Sequence, residues 1–341
     1  MSLDHALRTL GDPVENRRPK VAIVGTRFSD FDLEREMLGD VDLTFGPGRS
    51  KAEILDVAES ADVILAGAAP VFDADTLAAL KCRAIVRLGV GVDTVDLDSA
   101  RALGMWVVSV PDYGTDAVAL HTVTLVLACL RRLTQADRQM RDGSWGVADL
   151  RPLHLPSSLV AGIVGFGRIG RRVTQMLHGL GFERFLVADP LPTARNGAAG
   201  RLDVHLVELP ELLGESDVVS LHAPPEARGH LLGAEELRLM REGSVLVNTA
   251  RGALVDTVAL VGGLAQGRPA MAALDVFEQE PPDVTMFEGV IDRVILTPHM
   301  SWYTEESELA LRRQGAAEAF RLLHSQPPLH PVVTPAGMEV S

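Results

Sequence analysis

The segment LVAGIVGFGRIG, residues 159–170, decides the fold. Residues 159–164 form an apolar run typical of a buried strand, and residues 168–180 have the pattern of a helix. Gly165, Gly167 and Gly170 have the G-x-G-x-x-G spacing, which is weak alone but specific between a strand and a helix. Gly165 permits a tight turn, Gly167 lets the backbone approach a pyrophosphate, and Gly170 lets helix and strand pack closely. The pattern predicts a dinucleotide-binding unit whose helix N-terminus donates amide hydrogens to phosphates.

The next predicted strand, residues 185–188, is followed by a carboxylate at Asp189. An acidic residue ~20 positions after the glycine motif binds the ribose hydroxyls in such units. It would also repel a 2′-phosphate, so the sequence favours NAD over NADP. The alternative is that the glycines only form a turn and that Asp189 is a solvated strand end. The candidate cofactor-binding residues of this region are Gly165, Phe166, Gly167, Arg168, Ile169, Gly170 and Asp189.

The rest of the chain alternates short apolar runs with helical patterns, which is typical of parallel sheets covered by helices on both faces. The first series of predicted strands comprises residues 21–24, 63–65, 84–88 and 106–110. The second comprises residues 159–164, 185–188, 218–221, 245–248, 270–274 and 294–296. We therefore predict an α/β fold with two Rossmann-like or flavodoxin-like domains. The strand at residues 21–24 ends at Gly25 without the other two glycines, so we expect its domain to bind no dinucleotide.

Two long helical patterns frame the second series of strands. The first covers residues 115–141 and is either a buried interdomain helix or a helix that packs against a second subunit. The second, at residues 305–323, could return to the first domain and make that domain discontinuous. The proline-rich tail from Gln326 is expected to lie over the surface.

Composition excludes several classes of protein. The 341 residues are enough for two domains, and a net charge of −14 argues against nucleic-acid binding. No run reaches the ~18 apolar residues of a membrane span, and residues 1–20 form a polar, flexible tail without the apolar core of a signal peptide. Cys82 and Cys129 lie in apolar sequence without metal-site spacing. We therefore expect a cytoplasmic protein with no metal, no membrane partner and no disulfide.

Three polar segments of the second series come directly after predicted strands. They are NTARG at residues 248–252, DVFEQEP at residues 275–281 and TPH at residues 297–299. Open α/β sheets bind ligands at the carboxyl ends of their strands, so these segments can converge although they are distant in the chain. We expect the reactive groups of the protein in this region.

These segments carry the groups that reduction of a 2-oxo acid needs in addition to a hydride donor. His299 suits the acid that protonates the developing alkoxide, because imidazole titrates near neutrality. Glu280 would orient this imidazole and stabilise its charged form. Arg251 has a planar fork that can hold a carboxylate and polarise the adjacent carbonyl. Each residue alone has a structural alternative, since a histidine after proline is often structural and an arginine after a strand often forms a surface ion pair.

The ordered motifs GFGRIG, VADP, HAPPEA, NTARGALVD, DVFEQEPP and TPHMSWY resemble those of the D-isomer-specific 2-hydroxyacid dehydrogenases over almost all of the chain after the tail. The resemblance implies that Arg251, Glu280 and His299 are the catalytic trio. Formate dehydrogenases of this superfamily carry glutamine at the position of Glu280, so the chain looks more like a hydroxyacid enzyme. The resemblance also implies cofactor contacts, which are assigned to Ala223, Pro224, Thr249, Ala250 and, near the nicotinamide carboxamide, Asp275.

The segment RLGVGVD, residues 87–93, resembles the loop that the family places over the substrate carboxylate. The amides of Val90 and Gly91 would bind that carboxylate, because small residues leave them accessible. The alternative is an ordinary strand-end turn. Arg87 and the run HMSWYTE from His299 resemble the branch of the C-terminal binding proteins, so Arg87 and Trp302 are candidate specificity residues. Trp302 would form an apolar wall against the substrate side chain, or would pack in the hinge.

The resemblance implies a discontinuous substrate-binding domain of residues 21–112 and 300–341. An NAD-binding Rossmann domain of residues 113–299 is inserted into it. A homodimer formed through the helix that begins near residue 115 is also implied. Leu120 departs from the family, most of whose members carry an acidic residue before the histidine at position 121. The motifs do not indicate what this difference changes.

The implied activity is the NAD-dependent interconversion of a 2-oxo acid and a D-2-hydroxy acid. Two alternatives stay open. One is an NADH-sensing regulatory or scaffold protein of the C-terminal binding protein type. The other is a dehydrogenase of a different acid such as phosphite, because the phosphite enzymes share the trio. The uncharged segment AGAAP at residues 66–70 argues against phosphorylated substrates, and the motifs leave the particular 2-oxo acid and the direction open.

Overall fold

The computed structural model describes residues 17–190, 204–225 and 229–335. Contacts divide the chain into two compact units. Unit one is formed by Met1–Gly114 with Thr304–Ser341, and unit two by Thr115–Tyr303. Unit one is therefore built from two separate stretches of the chain. Most of the predicted flexible tail lies outside the described residues, as do two residues of the HAPPEA motif, at positions 226 and 227.

Strands and helices alternate through both units. In the described ranges the strands are β1 (Lys20–Val24), β2 (Asp42–Gly46), β3 (Val63–Ala66), β4 (Ala84–Arg87), β5 (Trp106–Ser109), β6 (Val160–Val164), β7 (Arg184–Ala188), β8 (His205–Leu206), β9 (Val218–Leu221), β10 (Val245–Asn248), β11 (Met271–Leu274), β12 (Val294–Leu296) and β13 (Pro331–Val333). The helices of the same ranges are α1 (Asp32–Leu38), α2 (Lys51–Ala58), α3 (Ala74–Ala79), α4 (Leu97–Ala102), α5 (Thr115–Leu130), α6 (Leu133–Arg141), α7 (Arg168–Gly179), α8 (Leu209–Glu215), α9 (Ala234–Leu239), α10 (Thr257–Gln266) and α11 (Glu305–Leu323).

Unit one contains a sheet with the strand order β13-β5-β4-β3-β1-β2. Its strand pairs are parallel except for β13 with β5, which is antiparallel. The order β2-β1-β3-β4-β5 is that of flavodoxin-like sheets. Strands β3 and β5 are buried throughout, as expected for parallel strands with helices on both faces. Pairing of β13 with β5 joins the C-terminal stretch to the N-terminal one.

Unit two contains an all-parallel sheet with the order β12-β11-β10-β9-β6-β7-β8. Two apolar cores lie on its opposite faces, one with α5 and α7 and the other with α8, α9 and α10. The strand order reverses between β6 and β9, and open α/β sheets bind ligands at the carboxyl ends of strands beside such a switch point. The two parallel-dominated sheets confirm the predicted α/β fold class.

The structure differs from the predicted helix over residues 115–141. The chain forms two helices there, because α5 ends at Leu130, α6 begins at Leu133, and a 57° bend separates them. Arg132 at the break has a left-handed φ of 47°. Helix α6 has no fully buried residue, whereas half of the residues of α5 are buried, so the two helices pack differently.

The tail after Gln326 also differs from its prediction as a surface segment. It forms β13, whose Val333 is buried in the core of unit one. The strand has three residues, and its pairing with β5 rather than its own apolar pattern determines its conformation.

No single helix in the described ranges is long and apolar enough to cross a membrane, and α5 with α6 reaches the required length and composition only as a bent pair. Cys82 and Cys129 are buried free thiols. Burial raises the pKa of both thiols to about 12, so both are inert apolar residues. Cys82 lies in the core of unit one, and Cys129 lies in one of the two cores of unit two.

Candidate active site

The glycine-rich turn lies at the switch point of the sheet in unit two. Gly165 follows β6 with φ of 89°, and a Cβ there would lie 2.6 Å from the carbonyl carbon of His222 after β9. A Cβ at Gly170 would overlap the carbonyl oxygen of Gly165, so helix α7 can approach the turn only with glycine at this position. A Cβ at Gly167 would meet nothing within 4 Å, which leaves open space above the helix N-terminus.

Two of the residues between these glycines, Phe166 and Ile169, turn their side chains into the core. Phe166 is 1% exposed and Ile169 packs against the same core, so both side chains point away from the open space. The amide of Phe166 donates to Asp189 Oδ2 at 2.6 Å, and Arg171 Nε donates to the carbonyl of Phe166 at 2.8 Å. Asp189 therefore lies beside the turn, at the end of β7. A glycine turn at a helix N-terminus with open space and an adjacent carboxylate fits a dinucleotide.

The end of β9 contains a histidine, His222, that the sequence motifs did not indicate as a site residue. His222 donates its amide to the carbonyl of Val164 at 2.7 Å, and its Nε2 lies 2.9 Å from Ser220 Oγ. Burial lowers the pKa of His222 to about 3, so the imidazole is neutral near pH 7. The two predicted cofactor residues that follow differ in exposure, since Ala223 is partly buried and Pro224 is exposed.

The loop after β10 is organised by Asn248, whose role the motif analysis also left open. Its Nδ2 donates to the carbonyl of Arg251 at 2.8 Å, and its Oδ1 accepts from the amide of Ala250 at 3.0 Å. A Cβ at Gly252 would overlap the backbone of Phe277, so the loops after β10 and β11 contact each other backbone to backbone. This contact brings the segments that carry Arg251 and Glu280 together. The hydroxyl of Thr249 lies 2.7 Å from that of Thr122 on α5.

Asp275, predicted to lie near the nicotinamide carboxamide, is fully buried and holds the turn after β12. Its Oδ1 accepts from Thr297 Oγ1 at 2.5 Å and from the amide of Met300 at 3.0 Å, and its Oδ2 accepts from the amide of Ser301 at 2.8 Å. Its backbone carbonyl accepts from the amide of His299 at 2.8 Å. These bonds give the carboxylate a positioning role toward His299. The sequence offered one signal for Thr297, namely its place in the TPH motif.

His299 and Glu280 are in direct contact. His299 Nδ1 lies 2.7 Å from Glu280 Oε2, and Glu280 Oε1 accepts from the amide of Phe277 at 3.1 Å. Both side chains are partly exposed, His299 at 44% and Glu280 at 37%. His299 has φ of 51°, in the left-handed region, so its imidazole leaves the turn in a direction that an extended backbone would not give.

The charge state of Glu280 decides which nitrogen of His299 carries a proton. Burial raises the pKa of Glu280, but the hydrogen bonds from His299 and from the Phe277 amide outweigh it and hold the pKa below its usual value. Glu280 is therefore a carboxylate near neutral pH, and a carboxylate only accepts hydrogen bonds. The hydrogen of the bond belongs to His299 Nδ1, which leaves Nε2 to exchange a proton with a ligand.

The predicted specificity residues are distributed over both units. Arg87 ends β4 in unit one, and its guanidinium donates to the carbonyl of Leu88. In the loop that follows, Val90 is 47% exposed and Gly91 is partly exposed. Trp302 belongs to unit two, is partly buried, and packs edge-on against Tyr303 with ring centroids 5.6 Å apart. Within the described parts of the chain, no group of three or more His, Cys, Asp or Glu side chains could hold a metal ion.

A parallel sheet with a glycine-rich turn at its switch point, and a histidine–glutamate pair at neighbouring strand ends, is typical of nicotinamide-dependent dehydrogenases. Residues 123–301 match the family described as "D-isomer specific 2-hydroxyacid dehydrogenase, NAD binding domain". The chain belongs to this family. The match confirms the predicted family and NAD as the cofactor.

Curated relatives and solved structures agree with this assignment. A glyoxylate reductase of Korarchaeum cryptofilum is 37% identical over 76% of this chain and 78% of its own length. A D-3-phosphoglycerate dehydrogenase of Archaeoglobus fulgidus is 34% identical over 77% of this chain, which spans only 49% of that relative. The chain thus spans about half the length of the phosphoglycerate dehydrogenase that it matches. A crystal structure of D-lactate dehydrogenase from Aquifex aeolicus, complexed with NAD and lactic acid, superposes with a TM-score of 0.81 and 27% identity over 93% of this chain and all of that one.

Proposed function

We propose that the protein interconverts a 2-oxo acid and the corresponding D-2-hydroxy acid, with NAD as the redox partner. The contact of His299 Nδ1 with Glu280 Oε2 at 2.7 Å carries this proposal, because it supplies an oriented proton donor and acceptor beside a dinucleotide fold. When bound, NAD supplies or accepts the hydride, so that a 2-oxo acid, NADH and a proton give the hydroxy acid and NAD⁺.

His299 is the general acid and base of the proposed reaction. Its Nδ1–H is donated to Glu280, so Nε2 gives a proton to the substrate oxygen during reduction and takes it back during oxidation. Glu280 stabilises the imidazolium that forms in the oxidative direction. The roles of the two residues therefore depend on each other.

Arg251 is the proposed ligand of the substrate carboxylate. Its guanidinium Nη1 donates to the carbonyl of Ala250 at 2.8 Å, and Asn248 and Gly252 determine the path of its loop. A planar guanidinium binds a carboxylate with two parallel hydrogen bonds, which fixes the orientation of the acid as well as holding it. In unit one, Val90 and Gly91 follow β4, and we assign their backbone amides as hydrogen-bond donors to an anionic ligand.

Two relatives and one segment of the chain support an unphosphorylated substrate. The names of the Korarchaeum and Aquifex proteins refer to unphosphorylated acids, glyoxylate and lactate. The Archaeoglobus relative is named for a phosphorylated substrate, and this chain spans only 49% of it. Residues 66–70, AGAAP, carry no cation that could pair with a phosphate. We therefore place this chain with the enzymes of unphosphorylated 2-oxo acids.

The decisive experiment is NADH oxidation by the purified protein over a panel of 2-oxo acids. The panel contains glyoxylate, pyruvate, hydroxypyruvate, 3-phosphohydroxypyruvate, and branched and aromatic members. We expect turnover with an unphosphorylated acid and formation of the D product. Higher kcat/KM for 3-phosphohydroxypyruvate would contradict the substrate class. Tight NADH binding without any turnover would instead favour an NADH-sensing regulatory protein.

Cofactor selectivity has its own test at Asp189. We expect Asp189→Ala to raise the KM for NADH and to lower that for NADPH, because the variant loses a ribose acceptor and the charge that repels a 2′-phosphate. Parallel kinetics with both cofactors measure the change in selectivity. A selectivity equal to that of the wild type would contradict the assigned role of Asp189.

Besides the roles of the site residues, four further expectations from the sequence stay predictions. They are the domain division at residues 112/113 and 299/300, the homodimer, the cytoplasmic location, and membership of the branch of C-terminal binding proteins. Sedimentation of the purified protein tests the dimer directly. Activity with a 2-oxo acid whose side chain is bulky would support the specificity roles proposed for Arg87 and Trp302.

A further inference from the structure

Helix α5 presents two adjacent polar residues to the loops that carry the proposed catalytic groups. His121 Nε2 lies 3.2 Å from Thr297 Oγ1, two residues before His299. Thr122 Oγ1 lies 2.7 Å from Thr249 Oγ1, two residues before Arg251. Both contacts lie within unit two, and Thr122 and Thr249 are buried. One turn of α5 therefore contacts the loop of Arg251 and the loop of His299.

The direction of each hydrogen bond follows from the number of hydrogens available. Thr122 Oγ1 donates its single hydrogen to the carbonyl of Val118 at 2.7 Å, so Thr249 must donate to Thr122. This bond to Thr122 on α5 holds the hydroxyl of Thr249 in one orientation. A change that removes the acceptor at position 122 would leave a buried hydroxyl unpaired, which is costly.

The number of available hydrogens also determines the direction of the bonds around His121. Thr297 Oγ1 donates its hydrogen to Asp275 Oδ1 at 2.5 Å, so it can only accept from His121, whose Nε2 must carry a hydrogen. His121 Nε2 lies 3.7 Å from Asp275 Oδ1 itself. The chain of donors runs from His121 through Thr297 to a carboxylate that is fully buried. Asp275 in turn accepts from the amides of Met300 and Ser301, which follow His299.

We propose that His121 and Thr122 are positioning residues of the dehydrogenase reaction, an inference that rests on the proposed function. His121 fixes the turn of His299 through Thr297 and Asp275, and Thr122 fixes the loop of Arg251 through Thr249. His299 holds a left-handed backbone conformation, and the bonds of Asp275 on either side of it oppose relaxation of that turn. Displacement of the imidazole by about 1 Å is enough to reduce the rate about 100-fold.

The first test compares two substitutions of His121 with a matched control. His121→Phe keeps a planar ring and removes the donor, whereas His121→Gln places an amide donor near the position of Nε2. We expect His121→Phe to lower kcat roughly 10- to 100-fold, with the KM for the oxo acid and the Kd for NADH within about threefold of wild type. His121→Gln should recover most of the loss. His154→Phe, at an exposed histidine outside this network, should have wild-type kinetics.

The second test uses Thr122. Thr122→Val keeps the volume and removes the acceptor, and Thr122→Ser keeps the acceptor. Because Thr122 acts on the loop of Arg251, we expect Thr122→Val to raise the KM for the oxo acid about tenfold and to change the NADH Kd little. Thr122→Ser should be close to wild type. The two positions thus have different kinetic signatures, which a general loss of folded protein would not produce.

A spectroscopic measurement separates this inference from the proposed function. In protein labelled with ¹⁵N-histidine, the ring signals of His299 report its bond to Glu280 whether or not the enzyme turns over. We expect the ring signals of His299 to shift in His121→Phe and to stay in place in His154→Phe. Both variants should keep the melting temperature of the wild type. Unshifted His299 signals in His121→Phe would overturn the inference. Absence of turnover in the wild type would overturn the proposed function while the shift still supports the positioning roles.

Discussion

The turn that carries His299 combines a backbone cost with the bonds that offset it. A residue other than glycine in the left-handed region costs about 1–2 kcal/mol, and His299 has φ of 51°. Asp275 accepts hydrogen bonds from three backbone amides. The amide of His299 donates to its carbonyl, and the amides of Met300 and Ser301 donate to its buried carboxylate. Hydrogen bonds to charged groups contribute about 1.5–3 kcal/mol each, so the turn is stable in this conformation. A fixed imidazole is what proton transfer to a bound acid requires.

The pair of His299 and Glu280 can be dissected by two substitutions. His299→Ala removes the proposed proton donor, and we expect kcat to fall about 10²- to 10⁴-fold with little change in the Kd for NADH. Glu280→Gln keeps a hydrogen-bond acceptor but removes the charge that stabilises imidazolium. The loss should therefore be smaller and should be greater for hydroxyacid oxidation than for oxo-acid reduction. Stopped-flow rates in both directions provide the comparison, and equal losses in the two directions would contradict a role for the charge of Glu280.

His222 makes stability depend on pH in a defined direction. Burial lowers its pKa from 6.5 to about 3 in the folded protein, so between these values the unfolded chain binds a proton that the folded protein does not. The free energy of unfolding must therefore fall as the pH falls below 6.5, by at most about 1.4 kcal/mol per pH unit from this group. His222→Gln removes the titration and retains a partner for Ser220. We expect the free energy of unfolding of the wild type, relative to that of His222→Gln, to decrease from pH 7 to pH 4 in urea titrations. The same pH dependence in both proteins would contradict the lowered pKa of His222.

The two loops after β10 and β11 form a single structural element through the contact at Gly252. A Cβ at this position would overlap the backbone of Phe277, and backbone cannot move aside as a flexible side chain can. Gly252→Ala should therefore displace the segments of Arg251 and Glu280 together, reduce kcat/KM at least tenfold and destabilise the protein by about 1–3 kcal/mol. Steady-state kinetics and thermal unfolding measure the two effects.

Gly262 on α10 is the matched control for Gly252→Ala. It is exposed in a helix, and a Cβ there would meet nothing within 4 Å. Gly262→Ala should leave the kinetics unchanged and stabilise the protein by about 0.5–1 kcal/mol, because alanine has the higher helix propensity. If Gly252→Ala behaved like Gly262→Ala, the two loops would not depend on close backbone contact.

Central strands were predictable from the sequence, and so was the edge strand β12, whereas the edge strands β2, β8 and β13 were not. The apolar runs of β1, β3, β6 and β10 reflect burial on both faces, which a sequence displays directly. The strands without a predicted counterpart are β2, β8 and β13, each at the end of a sheet. β2 and β8 are largely exposed, and β13 contains a proline, so none has the apolar pattern of a central strand.

The candidate site shows the same division between local pattern and tertiary contact. The glycine turn, Asp189 and the pair of Glu280 and His299 belong to motifs with known spacing. His121, Thr122 and His222 gave no comparable signal, because their roles depend on which loop lies opposite them after folding. The helix predicted over residues 115–141 failed for a related reason, since the apolar pattern does not mark the left-handed backbone at Arg132 that separates α5 from α6.

Unit one depends on an ion pair between distant parts of the chain. Arg312 on α11 donates from Nε and Nη2 to both carboxylate oxygens of Glu34 on α1, at 2.8 Å each, and from Nη2 to Asp30 Oδ1 at 3.0 Å. Arg312 is 9% exposed and Glu34 1%, and the guanidinium lies 4.9 Å from the ring centroid of Phe28. The pair joins the C-terminal stretch of the unit to its N-terminal stretch, which are separated by the whole of unit two.

Arg312→Leu should therefore destabilise unit one by about 3–5 kcal/mol, because it leaves the carboxylate of Glu34 buried and unpaired. The double variant Arg312→Leu with Glu34→Leu removes both charges and should recover most of that loss, since Asp30 is half exposed and can be hydrated. Arg313→Leu, at the adjacent exposed arginine, should change stability by less than about 0.5 kcal/mol. Urea unfolding gives the magnitudes, and hydrogen exchange locates them in unit one. If the single and double variants lost equal stability, the geometry of the two stretches would depend on apolar packing and not on the buried pair.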